Sequence, residues 1–199
     1  MADVTIKNVR FSYCHLFQPK SQNGSDPKYS TTVLVPKGNT AAKQAIDAAV
    51  NEAINTGVAG KWNGTRPPRP ALCVYDGDGV RPSDGQPFGD ECKGCWVFTA
   101  STRDKPFVVN NRVDDIIDPT QVYSGMWGNV CVSFFPYNYN GKKGIGCWLN
   151  GVQKVRDGEP LTHRVTAQSA FQVEEDSTAG SYDPITGQPV TSANSELPW

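Results

Sequence analysis

A long β-hairpin is the feature that most limits what this sequence can fold into. Residues 128–155 read GNVCVSFFPYNYNGKKGIGCWLNGVQKV, two β-rich runs joined by a short polar segment. Asn140-Gly141 in that segment is a dipeptide typical of tight hairpin turns, because both residues tolerate a positive φ. The sequence therefore predicts two long antiparallel strands that pair with each other.

One helix is predicted, between two early strands. Ala42, Ile46, Val50 and Ile54 recur at i, i+4 spacing, which places them on one face of a helix. Asn39 or Thr40 can cap its first turn, and Gly57 can end it. The apolar stripe predicts that this helix packs against a core.

The rest of the ordered sequence reads as short strands between loops rich in Gly and Pro. Val4, Ile6 and Val9 alternate with polar residues, and a second β-rich run stops at Pro36. Further short strands are predicted at 72–75, 95–101 and 107–109. The predicted fold class is mainly β, an OB-fold-like Greek-key barrel with one helix and long loops. A β-sandwich remains an alternative, because periodicity does not distinguish the two.

Charge is distributed unevenly along the chain. Residues 1–173 hold nineteen basic and fifteen acidic residues, a net charge of +4, whereas residues 174–199 hold five acids and no base. We expect an OB-fold domain over 1–173, followed by a flexible acidic C-terminal tail over 174–199, which shows no apolar periodicity. Such asymmetry is typical of proteins that bind nucleic acid or that carry an interaction tail.

Aromatic residues alternate with basic residues in several loops. Single-stranded nucleic acid requires this mixture, because rings stack on bases and cations follow the phosphates. The predicted DNA-binding residues are Lys61, Trp62, Arg66, Arg69, Tyr75, Arg81, Arg103, Lys105, Arg112, Tyr137, Tyr139, Lys142 and Lys143.

Position relative to the strands separates stacking candidates from core candidates. Trp62, Tyr137 and Tyr139 lie in or beside polar loops, so we expect their rings to be exposed. By contrast, the aromatic residues within strands are predicted to belong to the core: Phe98, Phe134 and Trp148.

The sequence contains little that suggests catalysis or metal binding. Cys92-x-x-Cys95 has no second pair to complete a zinc site, and no cofactor or metal is expected. Because the sequence lacks a secretory signal, the six cysteines are predicted to be reduced thiols. The acidic stretch from Asp76 to Asp90 lacks the spacing of a calcium loop. A metal-dependent nuclease that uses this stretch stays as the alternative to a non-enzymatic binder.

The sequence also bears on the compartment. No apolar run approaches the length of about 18 residues that a membrane span needs. The start, MADVTIKNVRF, lacks a secretory signal pattern. We therefore expect a cytoplasmic protein with no membrane partner.

Several blocks resemble a known family. The segments KYSTTVLVPKGN, YDGD, VYSGMWGNVCVSFFPYNYNGKKGIGCWLNGVQKVRDGEPL and SAFQV resemble phage proteins first described as a domain of unknown function. That family includes OB-fold single-stranded DNA (ssDNA)-binding proteins, and the resemblance covers residues 4–173. It implies sequence-tolerant ssDNA binding in phage replication or recombination, inside an infected bacterial host.

The resemblance also suggests a role for the end of the sequence. Bacterial and phage ssDNA-binding proteins commonly carry an acidic tail with an aromatic tip. The segment SELPW resembles such a tip, which implies that phage or host replication proteins bind it. The residues expected to carry that contact are Glu196, Leu197, Pro198 and Trp199.

Overall fold

The computed structural model describes residues 3–21 and 24–161. The predicted tail, 174–199, and its boundary with the domain lie outside these residues. Within these described residues there are one α-helix, α1 (Thr40–Ala59), and seven strands, which are β1 (Asp3–Lys20), β2 (Lys28–Pro36), β3 (Val74–Asp76), β4 (Cys95–Thr102), β5 (Phe107–Val109), β6 (Trp127–Tyr139) and β7 (Lys142–Arg156).

Five of the strands close into a barrel. β1 pairs antiparallel with β2 and β6, β2 pairs antiparallel with β4, and β6 pairs antiparallel with β7. A parallel pairing of Ser101 on β4 with Trp148 on β7 closes the circle. Two short strands extend the sheet, β3 beside β4 and β5 beside β7. This is the arrangement of an OB-fold barrel, so the predicted fold class is confirmed and the β-sandwich is wrong.

The predicted hairpin is present. β6 and β7 pair over their full lengths, from Trp127 opposite Arg156 to Tyr139 opposite Lys142. Asn140 and Gly141, with φ of 49° and 76°, form the two-residue turn. Because both φ values are positive, the turn matches the twist of the strands it joins.

The helix begins as predicted but runs slightly further. The side chain of Asn39 caps α1 by accepting from the backbone N–H of Ala42, whereas the helix ends at Ala59 rather than at Gly57. Gly57 lies within the helix, where its missing side chain leaves space for an indole ring, described below. The predicted apolar stripe is buried and packs against the barrel, as expected for Ala42, Ile46, Val50 and Ile54.

Inward side chains of the strands form one principal core. Phe98 and Phe134 are buried, as predicted, with ring centroids 6.0 Å apart. Ile6 and Val9 also belong to this core, although they are an odd number of residues apart. A bulge between them, with Asn8 at φ 55°, restores Val9 to the inner face.

The prediction that Trp148 lies in the core is wrong. Its neighbours Cys147 and Leu149 point inward, so strand alternation directs Trp148 to the outer surface, where it is 46% exposed. There its ring lies against Phe135, with centroids 4.5 Å apart. The indole of Trp148 therefore lies on the outer face of β7.

All six cysteines are free thiols, and burial raises the pKa of the most enclosed of them, Cys147, well above its usual range. Within the described part of the chain, α1 is too polar to serve as a membrane-crossing helix.

Candidate nucleic-acid interface

A groove of about 650 Å³ lies on the outer face of β2 and β4. It combines aromatic rings, hydroxyl groups, one guanidinium and one carboxylate. The residues that carry its chemistry are Tyr13, Thr32, Tyr75, Arg81, Phe88, Glu91 and Thr99. We call this the β2–β4 groove.

The floor of the β2–β4 groove is flat and polar because of strand alternation. Val33 and Phe98 point into the core, so their neighbours Thr32 and Thr99 point outward. These two threonines face each other across the strand pair, with their hydroxyl oxygens 3.1 Å apart. Short hydroxyl side chains leave room for a flat ligand to approach the sheet.

Two tyrosines border this floor from opposite sides. In the sheet order β3-β4-β2-β1, Tyr75 lies on β3 and Tyr13 lies on β1, three strand spacings apart, or about 14 Å. Tyr13 is 63% exposed and adopts a φ of 50°, next to a bulge in β1. Sequence reasoning missed Tyr13, because a bulge that redirects a side chain leaves no mark on strand periodicity.

Tyr75 has an aromatic neighbour on the wall of the groove. The rings of Tyr75 and Phe88 lie 6.3 Å apart with an interplanar angle of 33°. Partial burial, with smaller contributions from Cys73 and Tyr137, raises the pKa of Tyr75. Tyr75 is therefore a neutral phenol at physiological pH, compatible with stacking beside phosphates.

Residues 77–94 form the wall, and an apolar cluster fixes it to the barrel. Cys92 is buried with Leu34 and Val97, and Phe88 packs against this cluster. Desolvation raises the pKa of Cys92 to about 11, so the thiol is neutral and acts as a small apolar group. Cys92 thus contributes to the wall through packing.

Ion pairs hold the start of the same wall. The Lys37 ammonium lies 2.7 Å from carboxylate oxygens of both Asp76 and Asp78. Asp78 also accepts a hydrogen bond from the backbone N–H of Gly94. Hydrogen bonding to Lys37 lowers the pKa of both carboxyl groups.

These contacts bear on the alternative of a metal-dependent nuclease. Asp84 pairs with Arg81 at 3.1 Å, and Asp90 pairs with Lys93 at 2.6 Å. The carboxylates between Asp76 and Asp90 are therefore each occupied by a cation. Across residues 3–21 and 24–161, no three His, Cys, Asp or Glu side chains come together as metal ligands would.

A smaller cleft of about 170 Å³ continues the β2–β4 groove toward the loop that joins β1 to β2. Thr99 lines both, so the two form one surface. Ser30 and Ser101 extend the polar floor, and Lys20 and Lys28 add cations. Neither lysine was predicted to bind DNA; the signal that could have identified them is their position on either side of the turn-rich segment between the first two strands.

Trp62 was predicted to stack on bases, and this is wrong. The side chain is fully buried, and its indole N–H donates to the backbone oxygen of Tyr137 at 2.9 Å. The ring fits because Gly57 has no side chain; a Cβ there would lie 2.9 Å from the indole. Trp62 instead fixes residues 60–71 to the β6–β7 hairpin.

This anchor brings together a cluster that we call the basic tip. The Lys143 ammonium donates to the Trp62 oxygen, and the Asn138 side chain donates to the Lys61 oxygen. Tyr139 is 71% exposed at the same end of the hairpin. The basic tip comprises the predicted residues Lys61, Tyr139, Lys142 and Lys143. Arg66 and Arg69 lie in the segment 60–71, whose end is joined to the hairpin by the backbone N–H of Ala71, which donates to the Lys143 oxygen.

Tyr137 connects the basic tip to the groove. Its phenol covers Gly144, and it lies close enough to Tyr75 to affect the titration of that residue. The ring of Tyr137 was predicted to be exposed, but it is half-buried, so less of it is available for stacking on a base.

The remaining three predicted cations differ in position. Arg103 pairs with Asp26 at 2.7 Å, at the edge of the smaller cleft. Lys105 lines a separate pocket with Phe17 and Ile117, and Arg112 follows β5 in an exposed turn. The structure does not bring Lys105 or Arg112 to the groove. The predicted tip residues, from Glu196 to Trp199, lie outside the described residues.

The closed barrel and its aromatic groove define an OB-fold protein whose second and third barrel strands carry a face suited to an oligonucleotide. Residues 2–181 match the model of the Enterobacter phage Enc34 ssDNA-binding protein family. The chain belongs to this family.

Solved structures agree with this assignment. The ssDNA-binding protein from bacteriophage Enc34, in complex with ssDNA, is 30% identical, with a TM-score of 0.68 over 80% of this chain and 89% of that one. The T7 ssDNA-binding protein gp2.5 is 13% identical, with a TM-score of 0.54 over 87% of this chain and 97% of that one, and supports the fold alone. Protein p50 of Acyrthosiphon pisum secondary endosymbiont phage 1 is 29% identical over 166 residues, which are 80% of this chain and 86% of p50.

Proposed function

We propose that this protein binds ssDNA of a phage, with little sequence preference, along the β2–β4 groove. The observation that carries the proposal is the pair of aromatic borders on either side of a polar floor. Bases stack on Tyr13, Tyr75 and Phe88, and stacking tolerates any base because each has a flat face. Membership of a family whose Enc34 representative was solved with ssDNA supports the same ligand.

Phosphates follow the cations around the groove. Arg81 pairs with Asp84, but both side chains are about half exposed, and such exposed pairs contribute little. A phosphate can therefore compete for the guanidinium. Lys20 and Lys28 extend the basic surface at one end, and Tyr137, which interacts with Tyr75, links the groove to the basic tip.

We further propose that the protein acts by binding and protecting DNA in replication or recombination, in the cytoplasm of the infected host, without cleaving it. The occupied carboxylates between Asp76 and Asp90 give the nuclease alternative no support. Incubation of labelled ssDNA with the protein and Mg²⁺ tests this point. We expect intact DNA, and cleavage that Asp76→Asn abolishes would reverse the proposal.

The salt dependence of binding provides a first test of the proposed function. If the cations around the groove neutralise four or five phosphates, log K should fall against log[salt] with a slope of about −3, since each contact with a single strand contributes about −0.7. Fluorescence anisotropy with ssDNA, duplex DNA and RNA of equal length measures this slope and the preference. Salt-independent binding, or tighter binding of duplex, would contradict the proposed mode.

For the acidic segment 174–199 we propose two roles, competition with DNA and recruitment of replication proteins. The last described residue, Leu161, packs against the apolar cluster of Leu34, Cys92 and Val97. Residues 174–199 follow in the same chain and are therefore tethered to the domain that carries the groove. Tethered ligands reach effective concentrations of about millimolar order, so a segment of net charge −5 can occupy a basic groove weakly.

Removal of residues 174–199 should accordingly raise affinity for ssDNA. The increase should be largest at low salt, where screening is weakest. Trp199→Ala is the matched control: it removes no charge, so DNA affinity should hardly change, whereas capture of a partner with an apolar pocket should weaken. Paired titrations of both variants at low and high salt measure this. Equal affinities of full-length and shortened protein at low salt would exclude competition.

A further inference from the structure

A row of aromatic rings covers the outer face of β7, and none of these rings lines the β2–β4 groove. Tyr137 lies over Gly144, Phe135 lies over Gly146, and Phe107 lies over Gly151. In each case a Cβ on the glycine would come within 2.6 Å of the ring, so the absence of a side chain is what lets the ring lie flat on the sheet.

Within this row, Trp148 and Phe135 form an open platform. Their ring centroids are 4.5 Å apart, and the indole of Trp148 remains 46% exposed. Phe135 is partly buried because it lies over Gly146, and one side of Trp148 is buried because it packs on Phe135. This packing does not account for an indole of which nearly half faces solvent, since large apolar side chains normally become buried where they can.

The platform adjoins the proposed DNA path. Trp148 is the residue of β7 that pairs with Ser101 of β4, and both side chains point outward. Ser101 in turn lines the smaller cleft together with Lys20 and Lys28. The strand pairing that closes the barrel thus places the indole next to the end of the groove, at about one strand spacing, or about 5 Å.

We propose that the Trp148–Phe135 platform is an additional stacking subsite, which takes a base of the ssDNA strand after it leaves the β2–β4 groove across the β4–β7 seam. This inference rests on the proposed function and extends its path. A strand in the groove that reaches Ser101 meets Lys20 and Lys28 for its phosphates and Trp148 for its next base. The nearby Asp3 carboxylate accepts hydrogen bonds from Ser133 and Asn150, which reduces the repulsion it would exert on a phosphate.

Length dependence distinguishes this subsite from the groove. We use oligothymidylates of about 6 and about 12 nucleotides, both within the range of about 4–16 nucleotides that single OB-folds bind. Trp148→Leu keeps apolar cover over Phe135 but removes the stacking face. We expect it to bind the longer oligonucleotide about tenfold more weakly, within the range of one base stack, and the shorter one as the wild type does. Trp148→Phe should restore most of the loss.

Three outcomes would overturn the proposal. Wild-type affinity of Trp148→Leu for both lengths would show that no base uses the platform. An equal loss for both lengths would place the effect in the groove or in folding, and a thermal melt separates these. A loss accompanied by a changed oligomeric state in sedimentation would assign the platform to a second copy of the chain.

A matched control and a groove variant complete the design. Trp127→Leu removes an indole that lies against Arg156 at the other end of β6, and it should leave both affinities unchanged. Tyr75→Leu should weaken both lengths. If Tyr75→Leu has no effect while Trp148→Leu does, the proposed groove and the path that leads from it are wrong, although a base still stacks on the platform, so the two failures are distinguishable.

Discussion

Replacing both Tyr75 and Phe88 with leucine is expected to weaken ssDNA binding at least tenfold. Each base that loses an aromatic partner costs about 1–3 kcal/mol. Because the two rings lie 6.3 Å apart, their losses are not expected to add independently. Leucine is chosen because Phe88 also packs on the cluster of Leu34, Cys92 and Val97, and an apolar side chain preserves that contact.

Anisotropy titrations of the double variant measure this loss, with Trp127→Leu as a control for the removal of a ring outside the groove. Thermal unfolding must show that the double variant remains folded. A folded double variant with unchanged affinity would mean that bases do not stack in the β2–β4 groove.

Trp62→Ala is expected to lower the free energy of unfolding by about 3–5 kcal/mol, as is typical when a large buried aromatic side chain is truncated. The side chain has no exposed surface, and its loss leaves the Tyr137 oxygen without its donor. The same change at the half-exposed Trp148 should cost markedly less, since less apolar surface is buried there.

Chemical denaturation followed by circular dichroism compares the two variants without relying on tryptophan fluorescence. Weakened DNA binding by Trp62→Ala is expected only through displacement of residues 60–71 and the basic tip. If Trp62→Ala unfolded as the wild type does but bound DNA poorly, the indole would have to be a direct stacking residue, contrary to its burial.

Local signals predicted much of the fold. Asn140-Gly141 identified the hairpin, and Asn39 identified the start of the helix, because turns and caps depend on a few neighbouring residues. Closure of the barrel depends on the pairing of Ser101 with Trp148, which lie far apart in the sequence. No local pattern encodes that pairing, so the fold class rested on the number of strands and on family resemblance.

The two misplaced tryptophans show what local pattern can and cannot reveal. Trp148 was predictable in principle: Ile145, Cys147 and Leu149 alternate with it, so it had to face outward. Trp62 was not predictable, because its burial requires the gap above Gly57 and an acceptor on Tyr137, contributed by separate segments.

The candidate interface was only partly predictable for a similar reason. Tyr75 and Arg81 were selected from the mixture of aromatic and basic residues, and both line the groove. Tyr13 was missed because a bulge turns it outward. Which exposed side chains share one surface depends on the order of strands in the sheet, and that order is a property of the whole barrel.

Photochemical cross-linking tests the central claim most directly. Oligonucleotides that carry a halogenated uracil are bound to the full-length protein and irradiated, and the attached residues are identified by mass spectrometry. The account predicts cross-links to Tyr13, Tyr75 and Phe88, and to Trp148 only with the longer strand. Cross-links confined to the separate pocket of Phe17 and Ile117, with none to those three rings, would contradict it.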